Sequence, residues 1–431
     1  MRRTPAARAT RGLRLALVLA ALLPAALGAR AARAELLVPM DETQTDHLRA
    51  YGLTFWSLQQ GLRGEWLLNY RGGSFLLPDD ARLASEAAIR GVRAEQVSGA
   101  QVAQIRAEIA DNNMESVKLE TAPRIAVYVP PTVPPWDDAV QLALEYAQIP
   151  YTKLWDVEVI QGKLSEYDWL HLHHEDFTGQ YGKFYAAFAG TDWYRKQVAE
   201  NESIARKLGY PKVSELKKAV ARAIKSYVAA GGFLFAMCSA TDTFDIALAA
   251  EGIDIVGPEY DGDPADPYAT QKLNFGRCVA FQNFELEPSP LVYEYSNIDT
   301  SAKDMIRGQQ NDYFTLFDFS AKQDPVPSML VQDHVANVPG FMGQTTAFEK
   351  RLLKPGITVL GEVPGADEAK YIHGHFGKGT FTFYGGHDPE DYQHAVGDPP
   401  TDLSLHKNSP GYRLILNNVL FPAAEKKEKK T

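Results

Sequence analysis

The chain has 431 residues, of which 45% are hydrophobic and 23% charged, and its formal net charge is -10 at pH 7. A chain of this length can bury one large α/β core or two domains. Its acidic balance argues against nucleic acid and anionic lipid as partners, since both attract basic surfaces. The 2 cysteines are too few for a disulfide framework.

The first 34 residues have the layout of a secretory signal peptide. Arginines between Arg2 and Arg14 precede an apolar stretch at 13–27 that is short for a membrane span, and Ala32-Arg33-Ala34 fits an A-x-A cleavage site. Its removal takes away seven arginines and no acidic residue, which brings the net charge of the mature chain from -10 to -17. We predict export to the periplasm or cell surface, with no membrane span in the mature chain; a retained N-terminal anchor is the alternative.

Residues 35–120 predict a small α/β segment ahead of the main core. Its hairpin signal is Arg71-Gly72-Gly73, because glycines between two apolar runs permit a tight reversal. In an alternative interpretation, Arg71 and the turn amides hold an anion. The predicted elements are strands at 36–40, 65–70 and 74–77, and helices at about 45–60, 81–91 and 99–112.

Residues 121–424 predict the main core, in which strands alternate with helices. Such alternation is typical of a doubly wound, mostly parallel sheet with right-handed crossovers. An insertion rich in Gly, Pro and Asp at its start occupies about 251–345, and 425–431 form a charged tail. The predicted core elements are strands at 125–129, 151–155, 167–173, 233–237, 357–363, 371–375 and 380–384, and helices at about 138–147, before Gly231, after Ser239 and at 411–420.

The most informative stretch is 218–250. An apolar helical stripe ends at Gly231 and Gly232, because glycine adopts the left-handed C-cap conformation at little cost. Residues 233–237 then predict a strand covered on both faces. Cys238 follows directly and precedes a helix, a position that presents a nucleophile, supplies amide donors and lowers a thiol pKa. The alternatives are a free buried cysteine or a disulfide with Cys278.

Three polar turns are expected to meet beyond the carboxyl ends of the strands, where open α/β sheets bind ligands. They are the Cys238 turn, residues 173–176 and residues 385–391. A cysteine nucleophile needs a base, and His387 follows a strand and two glycines that allow close approach. The predicted catalytic residues are Cys238, His387, Glu390 and Glu175, with Asp388 or Glu390 orienting the base and the Ser239 amide as oxyanion donor. The predicted substrate contacts are His173, His174, Asp242, Asp388 and Trp136.

The histidine-rich turn also permits two other interpretations. Its side chains could be metal ligands, or His171 and His173 could be core imidazoles that hydrogen-bond the backbone. No recognised zinc spacing occurs, so we predict neither a metal nor a cofactor. An aromatic face could instead stack on sugars, although most such rings are packing residues. The possible ligands are His171, His173, His174, Glu175, Asp176, His373 and His375, and the aromatic residues are Trp136, Trp155, Trp169, Trp193 and Tyr194.

At these residues the chain resembles the trehalose-utilisation (ThuA-like) family, a branch of the class I glutamine amidotransferase-like fold. The likeness covers about residues 122–424 and implies a flavodoxin-like sheet with its site at these turns. The matching segments are Gly231-Gly232-Phe233 through Cys238-Ser239-Ala240-Thr241-Asp242-Thr243, which is similar to a "GxHAAxDT" turn, and Gly377-Lys378-Gly379 through Gly386-His387-Asp388-Pro389-Glu390, which is similar to a "GHxPE" turn.

Two departures from the family pattern bear on the activity. Cys238 stands where the ThuA-like turn has His, which makes this turn similar to the cysteine elbow of true class I amidotransferases. The "GxCxGxQ" pattern of those enzymes is absent around Cys238, and Glu390 lies three residues beyond His387 rather than two. Ordinary glutaminase activity is therefore not expected.

Residues 37–75 also resemble exported bacterial proteins labelled asparagine synthetase B. A synthetase of that type needs a Cys directly after Met1 and an SGGxDS pyrophosphate loop, whereas Arg2 follows Met1 here and no such loop occurs. We expect an exported Cys-dependent hydrolase or amidase-like enzyme acting on a small molecule or carbohydrate, without synthetase activity. The alternatives are a non-catalytic periplasmic binding or scaffold protein and a carbohydrate-processing protein.

Overall fold

The computed structural model describes residues 34–132 and 136–424. The predicted signal peptide and the charged tail therefore lie outside the described residues, apart from Ala34. No helix in the described part of the chain is long and apolar enough to cross a membrane.

The described residues form 15 strands and 13 α-helices. The strands are β1 Glu35–Val38, β2 Gly64–Leu68, β3 Ser74–Pro78, β4 Glu95–Val97, β5 Glu115–Leu119, β6 Ile125–Tyr128, β7 Thr152–Leu154, β8 Trp169–Leu172, β9 Phe233–Met237, β10 Tyr313–Leu316, β11 Asn337–Pro339, β12 Phe348–Glu349, β13 Thr358–Glu362, β14 Glu368–Phe376 and β15 Gly379–Tyr384. The helices are α1 His47–Gln59, α2 Ala81–Arg90, α3 Gly99–Asp111, α4 Ala139–Tyr146, α5 Asp156–Ile160, α6 Tyr185–Phe188, α7 Asp192–Lys207, α8 Val213–Ala230, α9 Ala240–Ala249, α10 Pro258–Asp261, α11 Ala269–Lys272, α12 Ser301–Arg307 and α13 Pro410–Leu420.

The N-terminal segment forms a five-stranded antiparallel sheet in the order β4-β1-β3-β2-β5. Strands β4 and β5 are short and partly polar, which is why the apolar pattern did not reveal them. Arg71 does not hold an open anion site: its guanidinium pairs with Asp41 at 2.6 Å and with Glu95 at 2.9 Å. The glycine turn is therefore a hairpin whose arginine is neutralised by the protein itself.

The larger sheet is mixed, rather than mostly parallel as the sequence predicted. Its order is β11-β10-β13-β14-β15-β9-β8-β6-β7, with β12 paired to β14. The five strands β7, β6, β8, β9 and β15 are parallel to one another, and the others pair antiparallel. Strands β10 and β11 come from the later part of the predicted insertion, where no strand was predicted, and they extend the antiparallel edge.

Both faces of the parallel half are covered by helices. Phe233, Phe235 and Met237 of β9 pack in one apolar cluster with residues of α1, α4 and α13, whereas Leu234 and Ala236 pack in another with residues of α8 and α9. This alternation follows from the period of a strand, whose successive side chains point to opposite faces. The continuous apolar run 233–237 is therefore a central strand that is buried on both sides.

Arg413 of α13 ties the small sheet to the large one. It is 1% exposed, and its guanidinium donates to the carbonyls of Met40 and Gly72 and, at 3.2 Å, to the hydroxyl of Tyr51. A buried guanidinium is tolerated when its donors are satisfied in this way.

Candidate active site

Four polar segments meet at the carboxyl-terminal edge of the parallel strands. In the register of the sheet, Leu172 lies beside Ala236 and Tyr384 lies beside Met237, so the residues after β8 and β15 flank Cys238. The segment after β6 adds Asp137 and Asp138 to the same edge. This convergence is the one expected for adjacent parallel strands.

Cys238 occupies a strained turn between β9 and α9. Its φ is +50°, a conformation that is uncommon outside glycine. Its backbone N–H donates to the carbonyl of Gly386 at 3.2 Å, which fixes the turn against the next strand end. The residue is 3% exposed, and α9 begins two positions later at Ala240. This is the strand-turn-helix geometry that displays a nucleophile.

The thiol of Cys238 lies under the segment that contains Gln344. The backbone N–H of Gln344 donates to Sγ at 3.3 Å, and its side-chain amide donates to the carbonyls of Gly182 at 2.7 Å and Tyr293 at 3.1 Å. No local sequence pattern predicts this cover, because Gln344 belongs to the insertion, more than a hundred residues from Cys238 in the chain. Access to the sulfur requires this segment to move.

His387, the predicted base, has neighbours that favour its charged form. Burial opposes its charged form, but Asp137 and Cys238 outweigh burial and raise the pKa of His387 to about 10. Burial would likewise raise the pKa of the Cys238 thiol, and the neighbouring His387 reverses this, so that the thiol pKa lies below its ordinary value. The two groups therefore favour a thiolate–imidazolium pair.

Asp137, rather than Glu390, is the carboxylate facing the imidazole. Its Oδ1 lies 3.9 Å from Nε2 of His387 and 2.7 Å from Nε2 of His394. The first separation is too long for a hydrogen bond, so this contact is ionic. The neighbouring Asp138 accepts the capping hydrogen bonds of α4, so the carboxylate of Asp137 is not needed for the cap.

Glu390 points away from the predicted dyad. Its carboxylate pairs with Nδ1 of His406 at 2.8 Å, because the turn after His387 bends toward the loop that precedes α13. Asp388 is fully buried and accepts from the backbone N–H of Glu390 at 2.9 Å, so it shapes the turn without orienting the imidazole. The predicted orienting role of these two carboxylates is therefore corrected in favour of Asp137.

A chain of buried imidazoles lies behind His387. Nδ1 of His387 lies 3.2 Å from Nε2 of His173, whose Nδ1 lies 3.3 Å from Nε2 of His171, and Nδ1 of His171 lies 3.0 Å from the carbonyl of Phe235. Asp138 contacts both inner rings, at 3.4 and 3.5 Å. The chain fixes the ring of His387 on the side opposite Asp137.

The remaining predicted residues surround this centre in different ways. Ser239 is fully buried at the start of the helical turn, and Oδ1 of Asp242 accepts from the Thr345 hydroxyl at 2.9 Å. Burial raises the pKa of Asp242 to about 7. Oε2 of Glu175 accepts from the backbone N–H of His173 at 2.8 Å, which places Glu175 beside the imidazole chain.

A cavity of about 40 Å³ opens next to His174 and Glu175. Of the aromatic residues considered from sequence, Trp136 and Trp155 line it, whereas Trp169 and Tyr194 are packing residues. The indole of Trp136 donates to Nε2 of His174. The other residues that line the cavity are Pro130, Asp176, Gly179, Tyr181, Gly182, Phe184, Gln197, Asn201, Val213 and Lys217.

Several side chains of the cluster have the spacing of metal ligands. Within the described residues, three overlapping trios at this edge bring their ligand atoms within 4.8 Å of one another. His373 and His375 belong to no such trio, because β14 carries them elsewhere; Nδ1 of His373 lies 2.9 Å from the Thr382 hydroxyl. The trios are Asp138, His171 and His173; His173, His174 and His387; and Asp137, His387 and His394.

The two cysteines are both free, so the alternative disulfide is absent. Cys278 is buried, and its thiol lies 3.4 Å from the backbone carbonyl of Asp245. Burial and the nearby side-chain carboxylate of Asp245 raise the pKa of the Cys278 thiol well above the ordinary value. Only Cys238 therefore combines a lowered thiol pKa with a neighbouring imidazole.

No protein-family model matches the chain, and no curated protein matches it. Among solved structures, cytoplasmic protein STM3548 from Salmonella typhimurium is similar at 12% identity over 73% of this chain and 91% of its own, with a TM-score of 0.35. Cytoplasmic protein STM1381 from Salmonella typhimurium LT2 is similar at 11% identity over 70% of this chain and 99% of its own, with a TM-score of 0.36. Likenesses this distant carry no argument about the fold or the function.

Proposed function

We propose that the protein is an exported, cysteine-dependent hydrolase that cleaves an amide or a related acyl compound. The observation that carries this proposal is the position of Cys238: a left-handed turn at a strand end, beside His387, which Asp137 faces in turn. The pattern strand, nucleophile turn and later imidazole is the general arrangement of cysteine acyl-transfer sites.

The proposed reaction has two balanced steps. The Cys238 thiolate attacks the carbonyl carbon, the C–N bond breaks, and the amine leaves with the proton of the His387 imidazolium. Water, deprotonated by neutral His387, then attacks the thioester; the C–S bond breaks, a carboxylic acid is released, and the thiolate–imidazolium pair is restored. The amide of Ser239 is the proposed donor to the oxyanion.

We propose a flavodoxin-like fold for the parallel half of the larger sheet, on the basis of its strand order. Taken in chain order, they lie as 2-1-3-4-5 across the sheet, which is the flavodoxin-like order. This order supports the ThuA-like and class I amidotransferase-like resemblance, and the signal-peptide pattern supports export. N-terminal sequencing of the exported protein should start near Glu35.

A non-catalytic binding protein is the second candidate. The observation in its favour is that the segment of Gln344 covers the thiol, so that Cys238 is only 3% exposed. The two candidates differ in whether the sulfur reacts while the protein remains folded.

Acylation with p-nitrophenyl acetate separates these possibilities. We expect an acetyl group on the peptide that contains Cys238, release of nitrophenol in a burst, and loss of both in Cys238→Ala but not in Cys278→Ala. A folded protein that acquires no acetyl group on Cys238 contradicts the hydrolase. Activity that EDTA removes and Zn²⁺ restores would instead assign the histidine cluster to a metal-dependent reaction.

A further inference from the structure

The cavity beside His174 and Glu175 has the chemistry of a ligand site. Its aromatic residues are Trp136, Trp155, Tyr181 and Phe184, and its volume of about 40 Å³ is a few times what one water needs. These rings offer faces to a ligand but few hydrogen bonds. Specificity must therefore come from the polar atoms among them.

Two oxygen acceptors in the cavity wall lack partners. Glu175 is only 5% exposed, and its Oε1 is buried without a hydrogen bond. Its other oxygen, Oε2, accepts from the backbone N–H of His173. Oε1 of Gln197 is likewise buried and unpartnered. Unpaired buried acceptors are costly unless a ligand or water donates to them.

One donor accompanies these acceptors. Trp136 donates to Nε2 of His174, so the neutral ring carries its proton on Nδ1, and Nδ1 has no partner. A ligand that satisfies the wall donates to two oxygens and accepts from one nitrogen.

The charges around the cavity favour a cation. Lys217 is the one lysine or arginine among the described lining residues, and its ammonium is already bound 3.0 Å from both oxygens of Asp156 and lies over the Trp155 ring. Glu175 and Asp176 add two carboxyl groups to the wall.

We propose that this cavity binds a protonated primary amine that has an oxygen acceptor on a neighbouring carbon. The ammonium donates to Glu175 and Gln197 between the aromatic faces, and the oxygen accepts from His174. The proposed binding depends only on the cavity. That the cavity is the subsite for the amine end of the substrate rests on the proposed function, and it narrows the substrate class to aminoacyl or amino-alcohol compounds.

A matched pair of probes tests the binding. Ethanolammonium and ethylene glycol both have a two-carbon backbone with a hydroxyl group at one end. At the other end, ethanolammonium carries an ammonium group and ethylene glycol a second hydroxyl. In a titration followed by tryptophan fluorescence and calorimetry at constant ionic strength, we expect ethanolammonium to bind and ethylene glycol to bind at least about tenfold more weakly. Equal binding of the two, or binding of neither, overturns the proposal.

Two substitutions of opposite sign locate the bound amine. Glu175→Gln should weaken ethanolammonium binding about tenfold, and Gln197→Glu should strengthen it, because they remove and add one carboxylate at the same wall. Asp192→Asn, a change at the exposed start of the helix that carries Gln197, is the control and should leave binding unchanged. If Gln197→Glu and Asp192→Asn bind alike, the amine does not lie in this cavity.

Using Cys238→Ala as background separates this inference from the hydrolase. Ethanolammonium binding that persists in Cys238→Ala supports the cavity even if the thiol proves unreactive. A reactive Cys238 in a protein that does not discriminate the two probes refutes the amine site and leaves the hydrolase intact.

Discussion

Asp137 faces His387 across the end of the parallel strands, with Oδ1 of the carboxylate 3.9 Å from Nε2 of the imidazole. The carboxylate comes from the turn after β6 and the imidazole from the turn after β15, so 250 positions of sequence separate them while the sheet brings them together. Because Asp138 caps α4, Asp137 is free to serve the imidazole and the stacked ring of His394. The predicted reactivity of Cys238 depends on this contact.

Asp137→Asn should make the thiol less reactive at neutral pH. The carboxylate raises the pKa of His387, and the imidazolium in turn lowers the pKa of Cys238, so removing the charge should reverse both shifts. We expect the pH midpoint of iodoacetamide alkylation to rise by about one unit. Asp192→Asn, an exposed change, is the control, and an unchanged midpoint in Asp137→Asn would show that the carboxylate is idle.

His387→Ala should raise the same midpoint further, because it removes the cation that stabilises the thiolate. His406→Ala is the matched control, since His406 pairs with Glu390 outside the dyad. His394 is unsuitable as a control, because its ring stacks on His387 at 4.8 Å and also contacts Asp137. Identical alkylation profiles for His387→Ala and His406→Ala would rule out the dyad.

Labelling should distinguish the two cysteines of the folded protein. Burial and Asp245 raise the pKa of Cys278, whereas His387 lowers that of Cys238. Near neutral pH, peptide mapping after limited iodoacetamide treatment should therefore find the label on Cys238. Cys278→Ala should retain the labelling rate, and equal modification of both cysteines would contradict the assignment.

Gln344→Ala should expose the thiol more often. The substitution removes two side-chain hydrogen bonds, to Gly182 and Tyr293, that hold the covering segment in place. Each such bond contributes about 1 kcal/mol, so alkylation of Cys238 should accelerate roughly fivefold or more. Gln332→Ala, which loses a bond to Pro410, is the control, and the cover is not limiting if both variants react like the unmodified protein.

Asp242→Asn should change how stability depends on pH. Burial raises the pKa of Asp242 to about 7, so the folded state binds its proton more tightly than the unfolded chain does. The resulting stabilisation is complete below the unfolded pKa of about 4 and is lost as the pH rises toward 7. Urea unfolding at about pH 5 and pH 8 measures the change: between these pH values, the free energy of unfolding should fall less in Asp242→Asn than in the unmodified protein. Parallel pH profiles would mean that Asp242 is ionised in the folded state.

Part of the centre could be inferred from local sequence. The apolar run 233–237, the glycines before it and the helix after it place Cys238 at a strand end, and the structure has β9 at Phe233–Met237. His387 was found in the same way, because it follows a strand and two glycines. These signals are local, since they depend on backbone propensity and apolar periodicity within about ten residues.

Other parts could not be inferred from any local pattern. Strands β10 and β11 are only four and three residues long, and the pairing of β10 with β11 and with β13 depends on long-range contacts that propensity does not encode. Glu390 seemed close enough to His387 to orient it, but the turn between them directs the carboxylate to His406. Short sequence separation therefore did not predict side-chain direction.

The sequence by itself determined where β9 and β15 end, that Cys238 and His387 lie in the turns after them, and that the chain is acidic. Only the tertiary structure decided which of those side chains meet. Asp137, His387 and Gln344 come from three separate turns, and their convergence on Cys238 is set by strand order and by the packing of the insertion over the sheet edge. The physical reason is that periodicity fixes the faces of individual elements, whereas contacts between distant loops depend on how whole elements pack.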